Sequence, residues 1–331
     1  MNAPKCDEFD YINFLVATPR VYSCTEAARV QPHEEDSPAH DAFNRLLQRL
    51  DPDPLALWQE ARHEVRLTSG ILVVDDSTLD KFYAKKIDLV HRHWSGKHRR
   101  VVWGINLITL FWTDGDRFLP CDYRLFDKPT DGATKNQHFR QLITTAKERG
   151  FAPRCVVFDS WYSALDNLKL IRSFGWQWLT QLKENRLVNP DRQGNRLVSQ
   201  IAIGERGAEV HLKGYGMIRV FKIVAKDGDV EYWATSQLGM SELERLACAE
   251  QACLIEIYHR GIKQYCGVER CQARKGRAQR NHIGLALRAF LRLEVYGFHQ
   301  GVSWFEAKTA IIREAVRAYL AKPLYVLDPT A

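Results

Sequence analysis

No apolar run in this 331-residue sequence is long enough to cross a bilayer: the longest, Val101 to Trp112, is broken by Asn106 and Thr109. The first ten residues lack the apolar segment of a secretory leader and carry Lys5, Asp7, Glu8 and Asp10 instead, so a protein without membrane association, retained inside the cell, is expected. Glycine and proline are sparse, at 20 and 12 residues, which excludes collagen-like and low-complexity chains. The 45% of hydrophobic residues supply a large core, and the length exceeds what one core usually serves, so two or three modules are expected. Proline is missing altogether from Ser241 until Pro323, which leaves that stretch free to form two or three long helices.

Metal-binding cysteine spacing is also missing. In a chain retained in the cell, the eight cysteines do not read as a disulfide framework. Cys248, Cys253, Cys266 and Cys271 form two C-x4-C spacings, but residues five apart on a helix point about 140° away from each other. Neither pair shares a face for zinc, and these cysteines read as small core or surface residues.

Charge is modest in total and uneven in placement. The net charge is +7, and Arg260 to Arg317 alone holds twelve Lys/Arg against four Glu. Such a stripe is the electrostatic footprint of a polyphosphate partner, most commonly nucleic acid; a solvated helical face is the alternative reading.

Along the chain, residues 1–68 read as short helices joined by loops, including the acidic His33 to Pro38 stretch. They form either a small helix-turn-helix-like, DNA-binding module or a helical cap on the next domain. From Gly70 the period changes. Ile71 to Val74 predicts a short buried strand ending in Asp75-Asp76, and Val101 to Phe111 with Phe118 to Phe126 predicts a hairpin about Asp114-Gly115-Asp116. A helix over 136–150, a strand over 155–158 ending in Asp159, a helix over 163–174 with a Ser163–Asp166 capping box and a strand over 176–182 follow. The expected fold class is α/β, a mixed sheet flanked by helices. Residues 184–240, punctuated by turns such as Asp191 to Gly194 and Lys226 to Asp229, read as a β-rich insertion. The expected domains are thus 1–68, a core in two parts at 69–183 and 241–322, the insertion at 184–240, and a tail at 323–331.

Phosphodiester chemistry with two divalent cations needs carboxylates that converge on metals about 3.5–4 Å apart, because hard cations take oxygen ligands. Asp75 and Asp159 each follow a run of apolar strand residues, and Glu256 lies among apolar neighbours in a helical stretch. Arg260 and Lys263 fall within about 40° of Glu256 around that helix, which is either one functional stripe or a surface ion pair.

The segments Val73-Val74-Asp75-Asp76-Ser77-Thr78, Trp94-Ser95-Gly96-Lys97-His98, Val157-Phe158-Asp159-Ser160-Trp161-Tyr162 and Ile255 to Lys263 resemble DDE-type transposases of bacterial insertion sequences. The resemblance spans roughly residues 70–320. It implies an RNase H-like core interrupted by a β-rich insertion, with Asp75, Asp159 and Glu256 binding two Mg²⁺ or Mn²⁺ ions. Adjacent strand residues face opposite ways, and the register of the motif assigns the ligand role to Asp75, leaving Asp76 to cap a turn or bond a nearby Lys or Arg. The Y-x2-R-x3-E-x6-K signature is half present: Glu256 and Lys263 match, whereas Ala249 and Ala252 stand at the Tyr and Arg positions.

By the same resemblance, the expected partners are double-stranded DNA, as element terminal repeats and target, and a second copy of the chain in a homodimer. The expected location is the cytoplasm, at the bacterial nucleoid. Lys97, Arg99, Arg100, Arg186, Arg260, Lys263, Arg274, Lys275 and Arg277 are the candidate phosphate contacts, and Trp233 the candidate for stacking on an unpaired base or a plug of the small sheet. Trp94 and Trp161 read either as stacking faces or as core residues. The rival functions are an RNase H-like nuclease without strand transfer and a non-catalytic DNA-binding descendant of a transposase.

Overall fold

A computed structural model describes residues 3–32, 37–84, 86–225 and 228–323. His33 to Asp36 of the expected acidic loop, Lys226-Asp227 of the last insertion turn, and residues 324–331 of the tail lie outside the described residues. The helices are α1 (Glu8–Ala17), α2 (Cys24–Arg29), α3 (His40–Arg49), α4 (Leu55–Ala61), α5 (Lys128–Asp131), α6 (Lys135–Glu148), α7 (Leu165–Ser173), α8 (Glu242–Gln264), α9 (Gly276–Gln300) and α10 (Trp304–Ala321). The strands are β1 (Ile71–Asp80), β2 (His91–Ser95), β3 (Arg100–Thr113), β4 (Phe118–Phe126), β5 (Cys155–Phe158), β6 (Trp178–Leu182), β7 (Leu187–Asn189), β8 (Arg196–Leu197), β9 (Ala208–Leu212), β10 (Gly216–Val224) and β11 (Val230–Thr235).

The chain divides into two compact units. The helical unit gathers Met1–Asp53, Tyr83–Val90 and His259–Ala331; the sheet unit gathers Pro54–Phe82 and His91–Tyr258. Within the helical unit, Tyr11 on α1 bonds His282 on α9 at 3.0 Å, and the buried Lys308 of α10 donates to the carbonyls of Leu15 and Thr18. Gly261 is required where α8 meets α9, since a Cβ there would stand 2.4 Å from the Phe290 ring.

In the sheet unit the strands follow the order β2-β3-β1-β5-β6-β11-β10-β9-β7-β8, with β4 paired to β3. β1 runs antiparallel to β3 and parallel to β5, which runs parallel to β6. A three-strand antiparallel start followed by parallel strands is the mixed α/β, RNase H-like arrangement that the resemblance implies. The strands of 184–240 do not stand apart from this sheet. β11 pairs with the far edge of β6 from Tyr232↔Leu182 to Thr235↔Leu179 and so covers an edge that would otherwise carry unpaired backbone groups.

Three local features differ from the sequence reading. β1 does not stop at Asp75; its ladder with β3 continues from Asp75↔Thr109 to Asp80↔Gly104. The stretch around Trp94 forms β2, because His93 and Ser95 turn inward while Arg92 and Trp94 stay exposed, an alternation that polar residues conceal. α7 begins at Leu165 with no side-chain cap, since the Ser163 hydroxyl donates to the Ser160 carbonyl at 2.7 Å. Capping boxes do start α6, with Thr134 and Gln137, and α10, with Ser303 and Glu306. None of the described helices is long and apolar enough to cross a membrane.

Candidate active site

The apolar run Ile71 to Val74 pairs in parallel with Cys155 to Phe158, ending at Val74↔Phe158. Asp75 and Asp159 are the next residues on each strand, so the ladder register brings two acids to the same sheet edge. β5 ends there while β1 continues beside β3. α8 approaches this point through Tyr258, fully buried against Phe111 and 3.3 Å from the hydroxyl of Thr109, the β3 partner of Asp75.

Two residues before Tyr258, Glu256 remains exposed and meets Asp75. The carboxylates of Asp75 and Glu256 each offer an oxygen within 4.8 Å of the other's. Asp159 is not part of this close pair, although its charge is felt at Asp75. Its Oδ1 accepts the Trp161 N–H at 2.9 Å, and its carbonyl accepts the Thr180 hydroxyl at 3.1 Å.

The two neighbouring aspartates differ in their electrostatics. Desolvation and then the negative charges of Asp76, Asp159 and Glu256 hold the Asp75 carboxyl well above its ordinary range. Asp76 points the other way, where it accepts from Asn106 Nδ2 at 2.6 Å, Lys135 Nζ at 2.8 Å and Tyr162 Oη at 2.8 Å. Its burial alone would raise it, but the charge of Lys135 and the hydrogen bonds from these three donors outweigh burial and lower it. Asp159 is raised by desolvation and by Asp76, with partial relief from the Trp161 and Tyr162 N–H groups. Two crowded carboxylates with a third nearby form a hard oxygen donor set, and their mutual repulsion is of the kind a divalent cation relieves; the residues fit a hard divalent metal ion.

The sequence matches the family model described as DDE superfamily endonuclease over residues 12–214. The chain belongs to the DDE superfamily endonucleases. The match ends before α8 and so does not reach Glu256. Among curated proteins, none matches the sequence. Among solved structures, the piggyBac transposase synaptic complex with hairpin DNA, seen by cryo-EM, is similar over 98% of this chain and 74% of its own, with a TM-score of 0.52 at 10% identity. That similarity concerns the fold. The Mos1 strand transfer complex aligns with 54% of this chain and 58% of its own at 13% identity and a TM-score of 0.21.

The other site candidates of this DDE endonuclease chain fall into two groups. Lys97, Arg99 and Arg100 lie exposed at the β2–β3 hairpin tip, where Lys97 reaches Asp80 at 3.4 Å, Arg99 takes a left-handed conformation and Arg100 stacks over Phe82. Arg186 is half-buried beside β7, and Arg260, Arg274 and Lys275 are exposed. Part of the basic stripe is engaged within the helical unit: Lys263 pairs with Glu269 at 3.6 Å, and Arg288 grips Glu8 at 2.9 Å. Arg277 donates to the Leu50 and Arg49 carbonyls at the end of α3 and pairs with Asp51. Trp233 is half-buried, bonds Glu231 at 2.8 Å and lies under Arg245. Lys135 and Tyr162, which hold Asp76 beside the acids, were not found from the sequence, where no local pattern marks them.

Proposed function

We propose that this chain is a transposase that cleaves DNA at the ends of a mobile element and joins the freed 3′-hydroxyl to target DNA. The observation that carries the reading is the convergence of Asp75, from the centre of an RNase H-like sheet, with Glu256 of α8, beside Asp159 on the neighbouring parallel strand. In the cleavage step, water attacks the phosphorus and the 3′-oxygen leaves with its electron pair. In the joining step, that 3′-hydroxyl attacks a target phosphodiester in the same way. Asp75, Glu256 and Asp159 would hold two Mg²⁺ or Mn²⁺ ions, which when bound supply Lewis-acid activation of the attacking oxygen and neutralise charge on the leaving one.

The residues around these acids set their geometry. Asp76, held by Asn106, Lys135 and Tyr162, fixes β1 against α6, and Tyr258 fixes α8 over Thr109. The Trp161 N–H orients the Asp159 carboxylate. Terminal-repeat and target duplexes are the proposed partners, a homodimer at the nucleoid is the proposed working unit, and the domain roles follow the boundaries given above.

Pre-cut element ends incubated with plasmid and Mg²⁺ test the reading. Joined products are expected; cut but unjoined DNA would assign a nuclease without strand transfer, and binding without cutting a non-catalytic descendant. The hairpin tip supplies a second test. Replacing Lys97, Arg99 and Arg100 by Ala should weaken duplex binding without regard to sequence and flatten the slope of log affinity against log salt by about 0.9 for each phosphate no longer neutralised. An unchanged slope would place DNA elsewhere.

A further inference from the structure

Trp161 stands two residues beyond Asp159 and is 56% exposed, in a chain whose other large aromatics beside the acids, Tyr162 and Tyr258, are fully buried. Its backbone N–H is bonded to the Asp159 carboxylate, so the indole is tied to the acid itself. Two ammonium groups flank the ring, Lys135 Nζ at 5.7 Å and Lys183 Nζ at 5.5 Å from its centroid. Lys135 is anchored by its 2.8 Å bond to Asp76, whereas Lys183 is exposed just after β6. Burying an indole is worth a few kcal/mol to a fold, and leaving one exposed beside three acids and two lysines forgoes that gain. The combination has the chemistry of a nucleotide: an aromatic face for a base, and a cation for the phosphate attached to it.

We propose that Trp161 and Lys183, with Lys135 as the fixed cation on the ring, form a subsite for one unpaired nucleotide of single-stranded DNA next to the acids, the indole stacking on its base and Lys183 contacting its phosphate. The subsite rests on the functional reading above, in which DNA occupies the acid site. It selects DNA with a single-stranded end, because a base within an intact duplex has no free face to offer. Trp161 acts here by positioning the strand, and the acids perform the chemistry.

The test is equilibrium binding by the full chain in EDTA, so that no cleavage intervenes. The probes are a duplex with a short single-stranded end carrying 2-aminopurine at successive positions, and the matching blunt duplex. Quenching of 2-aminopurine at one position is expected. Trp161→Ala should abolish the quench and weaken binding to the overhang DNA roughly 10-fold while leaving the blunt duplex unchanged, and Trp161→Phe should restore most of both. Lys183→Ala should lower the salt slope by about 0.7 for the overhang DNA alone. Equal affinity and quench in wild type and Trp161→Ala would overturn the subsite while leaving the functional reading intact. Failure of the wild type to bind either duplex would overturn the functional reading and the subsite with it.

Discussion

Without divalent cations, Asp75→Asn melts at a higher temperature than the wild type and Asp76→Ala at a lower one, although the two residues are adjacent on one strand. Asp75 is held well above its ordinary range by desolvation and by three like charges, so its ionised form opposes folding. Because the folded-state value is raised, the native chain keeps a proton that the unfolded chain releases. Stability contributed at low pH is therefore lost as pH rises from about 4 through the raised value. Asn removes that loss, and the advantage of the variant should grow with pH across this window.

Asp76 has the opposite sign. Its lowered value means that its contribution is present above about 4 and disappears as pH falls through the folded value. Asp76→Ala removes that contribution and leaves Lys135, Asn106 and Tyr162 without their acceptor, at a cost of about 3–5 kcal/mol. Thermal melts of the two variants from pH 4 to 8 check both signs. A higher melting temperature for Asp76→Ala than for Asp75→Asn would reverse the assignment of the two faces.

Adding Mg²⁺ or Mn²⁺ should stabilise the wild type and reverse its ranking against Asp75→Asn. A ligand that binds only the folded state adds about 2.7 kcal/mol at a concentration one hundred times its dissociation constant. The gain should be absent or small in Asp75→Asn and Glu256→Gln, which each remove one charge from the crowded donor set. Melting curves against cation concentration measure this directly, with Ca²⁺ as a non-catalytic comparison. Equal shifts in wild type and both variants would put the cation elsewhere.

Sequence legibility followed locality. Asp75 and Asp159 were readable because each directly follows an apolar strand run, and the parallel pairing of those runs then aligns the acids. The opposite directions of Asp75 and Asp76 were readable from the two-residue period of a strand. Glu256 was readable as an acid among apolar helical neighbours, but its approach to Asp75 depends on how Tyr258 of α8 packs on β3. Lys135 and Tyr162 lie 59 and 86 residues from Asp76, and no local pattern links them to it.

The tryptophans show the same limit. Trp233, read as a stacking face or a plug of the small sheet, is half-buried under Arg245, while Trp94 and Trp161, read alternatively as core, are both exposed. The basic stripe was legible as charge but not as availability. Arg277 and Arg288 are turned to α3 and α1, pairings that composition does not encode.

The most direct measurement is metal-dependent cleavage of element-end duplex by wild type, Asp75→Asn, Asp159→Ala and Glu256→Gln, each first shown to be folded and to bind DNA in EDTA. Cleavage by the wild type in Mg²⁺ or Mn²⁺ is expected, with a loss of at least about 100-fold in rate for all three variants and DNA affinity nearly unchanged. Glu256→Gln is the decisive member of the set, because this residue enters the site through the packing of α8 and lies beyond the residues matched to the family. Cleavage by Glu256→Gln at the wild-type rate would contradict the assembly of the active site from β1, β5 and α8.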